Sequence, residues 1–134
     1  MFTPVTAVEV DRLIRTAPTK TSPLDILPIS LLKQCSAELS NVIAHLANRS
    51  FAVGRFPSTL KFGLVTPLLK HSGLDTSDYK NFRPITNLTT VSNILERLAL
   101  ARLKPHIASS PNYCPLQSAY TVQLTQRRRH WIKW

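Results

Sequence analysis

Acidic residues are scarce in this chain. Its 134 residues hold 7 Asp+Glu against 17 Lys+Arg, for a formal net charge of +10. The seven are Glu9, Asp11, Asp25, Glu38, Asp75, Asp78 and Glu96; no two are adjacent and none follows Glu96. Chemistry that clamps paired divalent ions between clustered carboxylates therefore has no sequence cluster to draw on. Cysteine is nearly as sparse. Cys35 and Cys114 are far apart and fit no metal-ligand spacing, so free thiols in a reducing compartment are expected. His45, His71 and His106 show no spacing that suggests a metal site or a triad, and Gly73 reads as a turn glycine rather than part of a phosphate loop. No apolar run approaches the roughly 18 residues of a membrane span. The N-terminal MFTPVTAVEVDRLIRTA carries Glu9 and Asp11 and lacks an unbroken apolar core. It does not read as a signal peptide, so the expected location is intracellular, cytoplasmic or nuclear, without membrane attachment.

What is present is a globular composition, 43% hydrophobic and 18% charged, of a size for one domain or part of one. Four cations, Arg127, Arg128, Arg129 and Lys133, fall in the last eight residues, leaving 13 basic against 7 acidic side chains in the rest. A basic body suits a polyanionic partner, because neutralising phosphates releases counterions.

Periodicity predicts an α+β fold, with a helical N-terminal half, a β-hairpin and a following helix. A helix is expected over 4–17, opened by a Thr6/Glu9 capping box, with Val10, Leu13 and Ile14 on one face and Pro18 at its end. Ser22-Pro23 with Asp25 starts a turn that Pro28 interrupts, and Ile29–Gln34 continues as a short helix. Residues 37–52 give the clearest helix, with Ser36 as candidate cap, Gly54 as terminator and a stripe of Leu39, Val42, Ile43, Leu46, Ala47 and Ser50. Its other face carries Asn41, His45, Asn48 and Arg49. Phe62–Lys70 reads as a strand in which Pro67 demands an edge or bulge. His71–Asn81 is a loop, and Phe82–Asn87 a second, antiparallel strand. Thr90–Lys104 is a helix with stripe Val91, Ile94, Leu95, Leu98 and Ala101, closed by Pro105, and Ala108–Pro115 is a loop.

Several segments together resemble the fingers region of reverse transcriptases from non-LTR, LINE-type retrotransposons, nearest the jockey-like branch. SPLDILPISLLK resembles the family's lead-in. NRSFAVGRFPSTLKFGLVTPLLK resembles its Gly-x-Phe-Pro and Val-x-Pro-Leu-x-Lys elements. DYKNFRPITNL resembles Asn-Tyr-Arg-Pro-Ile-Ser-Asn-Leu, with Phe82 and Thr86 as departures. NILERLALARLKPHI resembles the helix that follows, and CPLQSAY a Gln-Ser-Ala-Tyr segment. The match runs in family order over residues 4–120. It implies fingers and the start of a palm, whose ancestral activity is RNA-directed DNA polymerisation on an RNA template or RNA–DNA hybrid. By this resemblance Lys70 and Arg83 are the candidates for template or nucleotide phosphates, supported by Lys61 and Lys80; an Arg fork and a compact Lys charge suit phosphate oxygens. Plainer roles stand beside these. The lysines are ordinary solvated side chains, Arg83 pins the loop to Asp75 or Asp78, Asp78 is a turn residue, and Tyr79 and Phe82 belong to the core or hairpin rather than to base stacking.

The resemblance also implies what is missing. The intact family enzyme uses Mg2+ held by palm aspartates, including an Asp-Asp pair, and this chain has none, so no cofactor and no polymerase activity are expected of it alone. Beyond Tyr120 the resemblance stops. One permitted set of codons for Thr121–Trp134, read from the last base of the first codon, spells Arg-Thr-Ala-Tyr-Ser-Thr-Glu-Thr-Ala-Leu-Asp-Lys-Val, and the family continues with Arg and a Ser-Thr-Glu-Thr-Ala-Leu segment. The expectation is a partial reverse-transcriptase domain over 1–120 and a frameshifted, disordered basic tail over 121–134. The competing reading is a non-catalytic basic module that binds RNA or DNA.

Overall fold

The computed structural model describes residues 2–19 and 22–111. The chain divides into two compact units, 1–102 and 103–134. Four α-helices and one two-stranded antiparallel sheet are present among the described residues, a mixed α+β arrangement.

Helix α1, Ala7–Thr16, is shorter than the expected 4–17 but carries the expected cap: the Thr6 hydroxyl accepts from the Glu9 amide, the first half of the capping box. It buries Val10 and Ile14 and ends before Pro18. Helix α2, Ile29–Gln34, buries Ile29 and Leu32. Lys33 at its end donates to the Ala17 carbonyl over 2.6 Å, tying α2 to the end of α1. Helix α3, Ser36–Val53, stops at Gly54, whose left-handed φ of 67° suits glycine.

The buried face of α3 departs from the expected stripe. Ser36, Ser40, Ile43, Ala44 and Ala47 are buried, whereas Val42 is 64% exposed. Ser36 is a buried residue of the first turn and caps nothing with its side chain; Cys35 is the N-cap. Small residues at 36, 40, 44 and 47 let α1 approach α3 closely, and that approach rotates Val42 outward. Asn48, expected on the solvent face, is half-buried. Its amide group pairs with the backbone of Val5, accepting from the amide at 2.7 Å and donating to the carbonyl at 2.9 Å. The incoming chain thus finds a partner for backbone that a buried position would otherwise leave unsatisfied.

Strands β1, Leu64–Leu69, and β2, Phe82–Asn87, pair antiparallel with Leu64 opposite Asn87 and Leu69 opposite Phe82. Pro67 lies directly opposite Pro84 and there is no bulge. Opposed residues either exchange two hydrogen bonds or none, and two prolines can only form the second kind. Residues 64, 66 and 68 therefore carry the ladder, and the Lys70 amide extends it to the Asn81 carbonyl at 2.8 Å. Neither strand packs broadly on a helix.

Helix α4, Thr90–Ala108, is longer than expected. Pro105 lies inside it rather than closing it: the ring forfeits one i→i−4 bond and crowds the Ala101 carbonyl, yet the helix continues and the Ser109 amide donates to the Pro105 carbonyl. Ile94, Leu95 and Leu98 are buried, while Ala101, placed in the stripe by periodicity, is exposed. Of the expected 108–115 loop, residues 108–111 are described, and Ala108 belongs to α4. Val5, Val10, Ile14, Ile29, Leu32, Ile43, Ala47, Ile94, Leu95 and Leu98 belong to one buried cluster, so α1 to α4 share a core.

Candidate nucleic-acid interface

The register sorts the ribbon's side chains onto two unlike faces. Successive residues of a strand alternate, and opposed residues share a face. One face carries Leu64, Thr66, Leu68 and Lys70 with Asn81, Arg83, Ile85 and Asn87. The other carries Val65, Pro67 and Leu69 with Phe82, Pro84 and Thr86. Both ribbon cations lie on the first face, and the Asn87 amide donates to the Thr66 hydroxyl there at 3.3 Å.

Lys70 and Arg83 are diagonal neighbours at the far end of that face, since Arg83 opposes Leu68. Lys80 stands beside them in the short 3-10 turn Tyr79–Asn81, and Lys70 Nζ donates to its carbonyl. All three are exposed. Tyr79 is 91% exposed and takes no part in a core. The turn chemistry explains this. The Asp78 carboxylate accepts from the Lys80 amide at 2.9 Å and caps the turn, fixing Tyr79 on its outer side. Phe82 is half-buried.

Lys61 is not part of the group. It caps the 3-10 turn Ser58–Leu60 at the start of the ribbon, with all of β1, roughly 20 Å of extended chain, between it and Lys70.

The carboxylates near the tip are engaged elsewhere. Asp75 accepts from the Ser77 amide at 2.9 Å and the Ser77 hydroxyl at 2.7 Å, and these bonds, the amide first, hold its pKa below the usual aspartate value. Its carbonyl accepts from the Asn81 side chain at 2.8 Å. Arg83 pairs with neither Asp75 nor Asp78. The two ion pairs among the described residues are Arg15–Asp11 and Arg102–Glu9, both away from the ribbon. The cations at the tip thus have no carboxylate partner, the state in which a phosphate is an effective counterion.

No protein-family model, no curated protein and no solved structure matches the chain.

A second feature lies at the ribbon's base, where a cleft of about 490 Å³ opens beside Ser22, Thr66, Thr86, Asn87, Thr90 and Asn93. One wall is fixed by a contact that sequence reading missed. Asp25 accepts from the Thr90 amide at 2.6 Å and the Thr90 hydroxyl at 2.8 Å, capping α4 from 65 residues away. No local pattern announces a cap donated across such a separation. At the next residues, the buried Ser92 hydroxyl donates to the Leu60 carbonyl at 2.8 Å and accepts from Thr89. Gly63 allows the ribbon's close entry. A Cβ there would stand 2.6 Å from Thr86 Cγ2 and 3.2 Å from Leu88 Cδ2.

The carboxylates do not fit a paired-metal site. Glu9 and Asp11 are held by arginines, Asp25 by Thr90, Asp75 by Ser77, and Asp78 by the Lys80 amide. Glu38 and Glu96 are exposed singly on α3 and α4, and no three His, Cys, Asp or Glu converge among the described residues. Of the two cysteines, Cys35 is a free thiol at the α2–α3 junction. Cys114 and the 121–134 tail lie outside the described residues. No helix among the described residues is long and apolar enough to cross a membrane.

Proposed function

We propose that the chain is a fingers segment of a non-LTR retrotransposon reverse transcriptase, of the jockey-like branch, and that the ribbon tip meets the phosphates of an RNA template or RNA–DNA hybrid. The observation that carries this reading is the group of exposed cations, Lys70, Lys80 and Arg83, with no carboxylate partner and with Tyr79 projecting beside them. The order of family-like motifs over residues 4–120 supports it. Lys61 contributes only general charge from the ribbon's other end. Binding at the tip requires none of the aspartates that polymerisation would, so the chain on its own binds without extending a primer. The same geometry suits a non-catalytic RNA- or DNA-binding module derived from such an enzyme.

The test is fluorescence anisotropy of the full chain with a labelled RNA–DNA hybrid over a salt series. The log–log slope should be negative, and Lys70→Ala and Arg83→Ala should each reduce it by roughly one phosphate's worth, about 0.7–0.9. Absence of binding at low salt, or variants indistinguishable from the parent, overturns the assignment of the tip. Nucleotide incorporation by the pure chain with Mg2+ overturns its non-catalytic part.

A further inference from the structure

We infer that Tyr79 is a phosphorylation site, and that a phosphate on its phenol is captured by Lys70, Lys80 and Arg83, closing the ribbon tip to nucleic acid. This regulation rests on the reading that the tip meets nucleic-acid phosphates.

Tyr79 presents a hydroxyl that an enzyme can reach without opening the fold. The residue is 91% exposed, and its phenol oxygen makes no hydrogen bond among the described residues. Its main chain is held on both sides. The Asp78 carboxylate accepts from the Lys80 amide, and the Phe82 amide donates to the Tyr79 carbonyl. A phenol stands clear of its own backbone, so a fixed turn can still offer it. Ser77 is the contrast. Its hydroxyl and its amide both donate to the Asp75 carboxylate, so its modification would first require the loop to open. Asp75 and Asp78, both exposed, precede Tyr79 and supply the local negative charge that a kinase with a basic peptide groove selects.

The cations around Tyr79 have donors to spare. Lys70 commits one of its three to the Lys80 carbonyl, and the Lys80 and Arg83 side chains make no hydrogen bond among the described residues. Lys80 follows Tyr79 directly, and Arg83 is the diagonal neighbour of Lys70 across the ribbon. A phosphoryl group on tyrosine carries a charge of about −1.5 to −2 at neutral pH, and opposite a cluster of cations it forms new charge-assisted hydrogen bonds. Tethered beside those cations, it competes with nucleic acid at a high effective concentration. The modification is phosphoryl transfer from ATP. The Tyr79 oxygen bonds to the γ-phosphorus, the bond from that phosphorus to the β-phosphate oxygen breaks, ADP leaves, and the phenol proton passes to the kinase's base.

The experiment uses the full chain carrying Tyr113→Phe and Tyr120→Phe, which leaves Tyr79 as its one tyrosine. A broad-specificity tyrosine kinase with MgATP should place a single phosphate on the folded chain, read by mass spectrometry, and none once Tyr79→Phe is added. Affinity for a labelled RNA–DNA hybrid should then fall at least ~10-fold, and the log–log salt slope should lose two phosphates' worth, about 1.4–1.8. Phosphatase should restore both. Capture has its own readout in phosphorus NMR. The cations should lower the phosphate's second pKa, ordinarily about 6, relative to the urea-unfolded chain, and Arg83→Ala should bring it back up. A folded chain that the kinase leaves unmodified overturns the inference and leaves the phosphate-binding tip standing. So does a phosphorylated chain that binds the hybrid as tightly as before, or a second pKa equal in the folded and unfolded chains. No hybrid binding by the unmodified chain overturns both readings.

Discussion

Replacing Arg102 by alanine should destabilise the protein by about 2–3 kcal/mol. The guanidinium uses all five of its N–H donors. Nε donates to the Thr3 carbonyl at 2.7 Å. Nη1 donates to Glu9 Oε1 at 3.0 Å and the Leu98 carbonyl at 2.9 Å, and Nη2 to the Pro4 carbonyl at 3.1 Å and Glu9 Oε2 at 2.8 Å. It also lies 5.9 Å from the centroid of the Phe51 ring, against which Phe2 packs edge-on. One side chain thus fastens the N-terminal segment to α1, α3 and α4. Breaking a buried ion pair from one side costs about 3–5 kcal/mol. The Arg102 side chain is 8% exposed but Glu9 is 35% exposed, so water can recover the glutamate and the figure is reduced accordingly. For a core of this size the loss corresponds to a fall in Tm of roughly 10 °C. Urea unfolding followed by circular dichroism measures it, and a double-mutant cycle with Glu9→Gln should show coupling of about 1 kcal/mol. Arg102→Lys should fall between, because three donors on a flexible stem cannot fill five positions. The pH dependence has a definite sign. Hydrogen bonding from Arg102 lowers the Glu9 pKa below its ordinary 4.5. The pair's contribution is therefore fully present above that value and is lost as pH falls through the folded-state pKa. The gap between parent and Arg102→Ala should narrow on acidification. A variant within about 0.5 kcal/mol of the parent at pH 7, or a gap that widens in acid, would refute the clamp.

Other outcomes follow from the same structure. Asp25→Ala removes the cap on Thr90 and should cost about 1–2 kcal/mol in thermal unfolding, with Asp25→Asn milder because one acceptor remains. Gly63→Ala forces a methyl against Thr86 and should cost about 1–3 kcal/mol, whereas Gly73→Ala meets no atom within 4 Å and suffers only from its φ of 92°. Gly54→Ala should cost about 1 kcal/mol at the end of α3, and Gly54→Asn less, because asparagine tolerates the left-handed region better. Denaturant midpoints measure each of these.

The elements that hydrophobic period and punctuation specify were legible in the sequence: α1 with its Thr6 cap, Ile29–Gln34, the Gly54 stop and the antiparallel hairpin. Sequence failed where the answer depends on a distant neighbour. Val42 turns outward because small residues of α3 draw α1 close. Asn48 turns inward to serve the backbone of Val5. Pro105 does not end α4, because the chain beyond it continues to supply donors. At the candidate site, the adjacency of Lys70, Lys80 and Arg83 follows from hairpin register. The independence of Arg83 from Asp75 and Asp78 does not, since it depends on how the loop's own amides and hydroxyls occupy those carboxylates.

The opposed prolines of the ribbon have a consequence for how that face is preserved. If β2 slid by one residue against β1, Pro67 and Pro84 would fall in neighbouring pairs, and one of those pairs must belong to the hydrogen-bonded class. A ring without a donor would then interrupt the ladder, at a cost of about 1–3 kcal/mol for the orphaned carbonyl. An odd slip is also the error that would turn Lys70 and Arg83 to opposite sides. The two prolines act as a parity check, rejecting the odd misalignments that would split the positive charge and passing those in which it stays on one face.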